Sequence, residues 1–345
     1  MMSKIAVALL TITTISLCSF LVVAASSVDQ LSADQLNSNT SQEESNAAAT
    51  DQEINVKDYG AKGDGVGDDT SVIQTALNEN NNVYIPDGTY MINVDSSLTP
   101  KSNQTITMSK NAVLKAIPTT TGYHSVICID GVNNISITGG KIVGERNQHK
   151  GTEGQWGMGI NILSGASNIV ISHIAISDFW GDGIYLGGSP GVSGITIDNV
   201  ISDNNRRQGL SVTNANNVTI SNSIFKNTKG TAPEAGIDIE PNGNQIAEDI
   251  KIMNTECYDN NGSGIDLMGI SGIIQRVEIV DSTMRDNAGI DIRVINASDL
   301  TFRNNTITNN LYMTEAPNNM GIWEEIISNI KMIGVDFLKG IESFN

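Results

Sequence analysis

The stretch GIDIEPN, residues 236–242, alternates the apolar Ile237 and Ile239 with the acids Asp238 and Glu240. Alternation at period two describes a strand with one buried face, so both carboxylates belong to the open side. Glu234 stands just before this stretch, the pair Arg206 and Arg207 lies upstream, and Asp266 holds the equivalent place in the later stretch GIDLM. Two carboxylates held close cannot both ionise cheaply without a counter-charge, which pushes their pKa values apart and prepares one of them to give or take a proton. The oxygens of Asp238, Glu240 and Asp266 would also suit Ca2+, a hard cation that takes oxygen ligands. The plainer alternative is a ladder of acids solvating one face, with Arg206 and Arg207 neutralising it through salt bridges.

Whether these residues meet depends on the elements that carry them. One piece recurs as NNISITGGKIVGE from Asn133, SNIVISHIAISDF from Ser167, NNVTISNSIFKNT from Asn216 and SDLTFRNNTITNN from Ser298. A second piece, led by glycine, follows at Gly159, Gly183, Gly209, Gly236, Gly264 and Gly289, with a period of about 25 residues. Short strands between Asn, Asp and Gly turns, with no helical pattern among them, predict an all-β fold: a parallel β-helix whose coils stack about 4.8 Å apart. Alignment on the glycine puts Asn161, Tyr185, Ser211, Asp238, Asp266 and Asp291 in one outward column, and Leu163, Gly187, Thr213, Glu240, Met268 and Arg293 in the next. Three positions before the glycine come Trp156, Trp180, Arg206 and Pro233. Two indoles beside a guanidinium would form a platform on which a sugar can stack, or else a plug over a hydrophobic gap. Asn134 and Asn217 sit in N-x-S/T triplets, but at turns of a solenoid stacked Asn side chains are the expected use, ahead of glycosylation.

The chain has 345 residues and a net charge of −18, which argues against nucleic acid as a partner. Lys4, the apolar run from Ile5 to Val23 and the small residues Ala24 and Ala25 read as a secretory signal peptide over residues 1–25, with an uncleaved anchor as the alternative. Residues 26–53 are polar and acidic and read as a flexible tether, leaving 54–345 for the β-helix. The expectation is export to the extracellular space or the periplasm, with no membrane contact once the leader is removed. Cys18 falls in the leader, and Cys128 and Cys257 are too far apart in sequence to imply a disulfide framework.

The start of the module differs from the rest. VKDYGAKGDGVGDDTSVIQTAL from Val56 gives a Gly/Asp loop and then a helix near Thr70 to Glu79, with Asp68 or Asp69 placed to cap it. Together with VYIPDGTY from Val83, this closely resembles the amino-terminal signature of the pectate lyase superfamily, which also includes polygalacturonase-like hydrolases, uronan epimerases and phage tailspike depolymerases. The resemblance spans residues 54–345 and implies a right-handed β-helix, its open end covered by this helix, that acts on a polysaccharide.

Under that resemblance β-elimination of a uronate is the favoured reaction. Arg206 or Arg207 would neutralise the substrate carboxylate or act as the base, and Asp238, Glu240 and Asp266 would hold Ca2+. His149 and Tyr185 are secondary acid or base candidates. In hydrolysis, two of Glu234, Asp238 and Glu240 would serve as acid and base. Trp156, Trp180, Asp182, Tyr185, His149 and Gln208 complete the groove as substrate contacts. The sequence departs from two family patterns: GDGIYLGG supplies one Asp of the polygalacturonase motif with no GHG after it, and Asn242 stands where the Asp-Pro-His motif of alginate epimerases needs His. A non-catalytic glycan-binding β-helix is the third reading, although it would not need acids and bases gathered on adjacent coils.

Overall fold

Each coil places Ile, Val, Leu or Phe at alternate positions of three short strands, and these side chains fill one continuous core along the axis. The computed structural model describes residues 52–314 and two further strands at Ile330–Met332 and Asp336–Gly340. The proposed leader and nearly all of the tether lie outside the described residues. Among the described residues the strands form three parallel sheets of 10, 9 and 11 strands, and successive coils add one strand to each. This is the all-β parallel β-helix expected from the repeat, of the right-handed kind that the resemblance implies. Among the described residues no helix is long and apolar enough to cross a membrane.

The glycine-led strands all fall in the same sheet, at Trp156–Leu163, Asp182–Leu186, Gln208–Val212, Ile237–Ile239, Ile265–Met268 and Ile292–Ile295. The strands before them, such as Ser167–Ser172 and Ala175–Ser177, form the other two sheets. Loops that run into the glycine-led sheet therefore line one side of it, coil after coil.

The helix Thr70–Glu79 buries Ile73, Ala76 and Leu77 in the core. Asp68 takes the capping role, accepting from the Thr70 amide at 2.9 Å, while Asp69 ties down the Gly/Asp loop by accepting from the amides of Lys62 at 2.7 Å and Gly63 at 3.1 Å. Gln104 donates to the carbonyls of Leu77 and Asn80, which fastens the end of the helix to the first coils.

Turn residues stack as expected. Asn134 and Asn168 adopt left-handed backbone (φ 58° and 55°), a conformation Asn tolerates well, and Asn amides link coil to coil: Asn134 donates to Asn103 at 2.7 Å and Asn168 to Asn134 at 3.2 Å. A second, buried ladder faces inward. Asn260 accepts from the Thr228 amide, and its own amide donates to the Phe225 carbonyl and to Asn287. Cys128 and Cys257 are free thiols.

Candidate active site

Strand register decides which side chains meet. The glycine-led sheet pairs Asn161 with Tyr185, Tyr185 with Ser211, Ser211 with Asp238, Asp238 with Asp266, and Asp266 with Arg293. The last step corrects the sequence alignment, which put Asp291 in this column and Arg293 in the next. Asp291 is instead a buried brace, accepting from Asn287 and from the amides of Thr308 and Asn309. Those bonds shift the coil by two residues relative to its glycine, and a slip of two keeps side chains on the same face. Arg293 thus grips Asp266 with a two-pronged contact, Nε to Oδ1 at 3.0 Å and Nη2 to Oδ2.

Below Asp266 lies a buried polar network. Asp182 is 0 % exposed, and its Oδ2 accepts from Arg207 Nη1 at 2.9 Å and from Ser211 Oγ at 2.8 Å. Gln208 accepts from Arg207 at 2.9 Å and competes with Asp182 for the one Ser211 hydroxyl proton, and its amide donates to Asp238 Oδ2. Asp238 is 2 % exposed and Asp266 0 %. Burial pushes the Asp182 carboxyl up to about 6 against the pull of Arg207. Burial pushes Asp238 well above the usual carboxylate range too, and the charges of Asp266 and Glu240 add to the effect. Asp182 Oδ1, Asp238 Oδ1 and Arg207 Nε have no hydrogen-bond partner. Buried polar atoms without partners are uncommon and call for a role, such as binding a water or a ligand atom.

Other candidates sit at the edge of this network or away from it. Tyr185 and Glu240 are half-buried; Tyr185 shares a hydrogen bond with Thr213 Oγ1 at 2.9 Å, and burial raises its pKa. Glu234 is committed to loop contacts, accepting from the Gly230 amide of its own loop and from Asn261 on the next coil. Arg206 does not reach the carboxylates. Its guanidinium lies 3.7 Å over the Trp180 ring and donates to the Gly154 and Trp180 carbonyls. On its other side Trp180 stacks on His149, with centroids 4.0 Å apart and planes at 13°. His149 is held by Glu145 at 2.9 Å, and Glu145 also faces His124 Nε2 at 3.1 Å. The column therefore reads His149, Trp180, Arg206. Trp156 lies one coil from Trp180, as expected, with Tyr123 as its register partner on the other side, but the two faces of Trp180 are taken by His149 and Arg206.

The Ca2+ expectation meets a donor set that does not fit. Among the described residues no three His, Cys, Asp or Glu side chains converge as a metal needs, and the two oxygens of Asp266 already face the Arg293 guanidinium.

Ser211 and Arg293 are the members that sequence reading missed. Ser211 appeared in the column, but a serine carries little signal by itself. Arg293 could have been placed by counting from the preceding strand: 15 residues separate Ile169 from Ile184, Ile195 from Leu210, Ile250 from Ile265 and Val277 from Ile292.

A coil-by-coil solenoid with an acid-lined outer sheet defines the class: a pectate lyase-like parallel β-helix. Residues 53–336 match the family described as rhamnogalacturonase A/epimerase, pectate lyase-like, and the chain belongs to that family. The uncharacterized Bacillus subtilis protein YclG is 29% identical over 271 residues, which cover 67% of this chain and 46% of that protein. The mannuronan C5-epimerase AlgE2 of Azotobacter vinelandii is 27% identical over 257 residues, covering 62% of this chain and 25% of the epimerase. The chain thus spans less than half the length of these curated relatives. Among solved structures, the A-module of the Azotobacter vinelandii mannuronan C-5 epimerase AlgE4 superposes with a TM-score of 0.60 at 17% identity, over 83% of this chain and 88% of that one. The tailspike gp49 of Acinetobacter baumannii bacteriophage Fri1, a capsular polysaccharide depolymerase, superposes with a TM-score of 0.55 at 13% identity, over 85% of this chain and 64% of that one. At these identities the structural likeness speaks for the fold alone.

Proposed function

We propose that this protein is an exported enzyme that hydrolyses a polysaccharide by general acid–base catalysis, with Asp238 as acid and Asp182 as base. The observation that carries this reading is the buried pair itself: two carboxyls joined through Gln208 and Ser211, one beside Arg207 and the other beside Asp266, each with an oxygen lacking a partner. The Arg207 guanidinium beside Asp182 favours its ionised form, while burial and the charges of Asp266 and Glu240 favour the protonated form of Asp238, and such a division assigns base and acid. Asp238 gives its proton to the glycosidic oxygen. Asp182 takes one from a water whose oxygen bonds to the anomeric carbon as the glycosidic C–O bond breaks. The products are a free alcohol and a new reducing end, and the two carboxyls exchange protons with solvent to reset.

Ser211 and Gln208 act as positioning residues. Ser211 fixes Asp182, and Gln208 spans the distance from Arg207 to Asp238. The family's description includes a rhamnogalacturonase, and the relative AlgE2 is named as a mannuronan C5-epimerase, which supports the substrate class. Sequence reading favoured β-elimination under the resemblance to pectate lyases, with Arg206 or Arg207 meeting the uronate carboxylate or acting as base. The stacking of Arg206 on Trp180 and the ion pair of Arg207 with Asp182 support the hydrolytic reading over that role.

The test is incubation with acidic and neutral polysaccharides while following both new reducing ends and the ultraviolet absorbance of unsaturated uronates. Reducing ends without absorbance are expected. Absorbance rising in step with the ends would replace hydrolysis by elimination.

A further inference from the structure

Tyr123 and Trp156 are 57 % and 44 % exposed, and they are register partners on neighbouring strands of the glycine-led sheet. Large aromatic side chains left this open on adjacent coils forgo the stabilisation that burial would give them. Their surroundings explain the arrangement. The Tyr123 hydroxyl accepts from Asn161 Nδ2 at 3.2 Å, so the ring leans along its strand toward the outward column. Asn161 is 2 % exposed, and its Oδ1, an acceptor, has no partner. Two open ring faces and an unused buried acceptor at their edge are what a sugar ring needs: apolar C–H faces to stack on and a hydroxyl to donate.

The same column leads to the acid pair. From Asn161 it passes through Tyr185 and Ser211 to Asp238, one coil at a time. A pyranose ring is about as long as the ~4.8 Å between coils, so a glycan laid along the axis would place roughly one sugar per coil.

We infer that Tyr123, Trp156 and Asn161 form a carbohydrate subsite at the amino-terminal end of the groove, which stacks sugar units of the polysaccharide a few residues away from the bond broken at Asp182 and Asp238. The inference rests on the proposed hydrolase reading for its ligand, but not on the identity of the acid and base. It replaces the Trp156–Trp180 platform expected from sequence, since Trp180 is already covered on both faces by His149 and Arg206.

The experiment is affinity electrophoresis of the full chain in native gels containing alginate, polygalacturonate or a neutral galactomannan, in an Asp238→Asn background so that the matrix is not consumed. At least one of the three should retard the protein. Adding Tyr123→Ala or Trp156→Ala should raise the dissociation constant about tenfold each, as expected for loss of one aromatic stack. Tyr123→Phe, which keeps the ring and drops the hydroxyl, should have a smaller effect. Ile273→Ala, at an exposed apolar residue elsewhere, should leave binding unchanged. Equal affinity of the aromatic variants and their parent, equal weakening by Ile273→Ala, or no retardation by any of the three matrices overturns the subsite. A wild type that releases no reducing ends, while retardation still depends on Tyr123 and Trp156, defeats the hydrolase reading and leaves the subsite standing.

Discussion

Asp182 and Asp238 carry the same functional group, and their surroundings give them different work. For Asp182 the folded state binds the proton more tightly than the unfolded chain does, since burial raises it from the ordinary value near 4 to about 6. Its contribution to stability is therefore complete below about pH 4 and is lost as pH rises through about 6, a change of ~3 kcal/mol by proton linkage. Asp182→Asn should flatten the fall of melting temperature across that interval, measured by calorimetry at a series of pH values. A wild type whose melting temperature rises from pH 4 to 6 more steeply than that of the variant would contradict this. Asp238→Asn removes a buried group that resists ionising beside Asp266 and Glu240, so thermal stability at neutral pH should hold or increase while turnover disappears. For turnover in the wild type the signs are opposite on the two limbs: the rate climbs as Asp182 ionises near pH 6 and declines at higher pH as Asp238 loses its proton, which gives a bell-shaped profile. Asp238 and Asp266 were legible in the sequence because alternation and the leading glycine fix them in one column. The pairing of Arg207 with Asp182 was not, because side-chain direction within a loop leaves no periodic trace.

Coils cohere through ladders as much as through the apolar core. Asn260 is buried, and it satisfies the Thr228 amide and the Phe225 carbonyl while bonding Asn287 on the next coil. Asn260→Ala strands those groups without water and should cost about 2 kcal/mol or more, read as a lower urea midpoint with an unchanged slope. A loss below about 0.5 kcal/mol would show that the ladder is replaceable. Strand positions were readable from the repeat because inward Ile and Val recur with period two. Register at one coil was not, since Gly289 mimics the leading glycine of its neighbours while Asp291 is drawn into a brace with Asn287, Thr308 and Asn309. The aromatic column was incomplete for a different reason: the long loop from Glu145 to Gln155 folds back and sets His149 over Trp180, a contact that no repeat spacing marks.

The solenoid converts a linear repeat into sheets that run along its axis, so the proposed ligand, an extended polysaccharide, can meet equivalent positions coil after coil. Fold and family were open to sequence reading because the repeat and the cap signature extend through the module, whereas the reaction depends on a few side chains brought together from separate coils. The net charge of −18 also bears on the substrate: an anionic polysaccharide must approach against the field, so if one is cleaved, its KM should fall as salt rises toward physiological strength and screens the repulsion. A KM that climbs with salt would indicate attraction by a local basic patch. If Asp182 and Asp238 work as one acid–base pair, the decisive measurement is of reducing ends released from the best of a set of polysaccharides by the wild type, Asp182→Asn, Asp238→Asn and the double variant. Each single variant should lose about 10²–10⁴-fold, with the double variant little worse than either single one because the two groups act in one step. Full activity in either single variant would contradict the account.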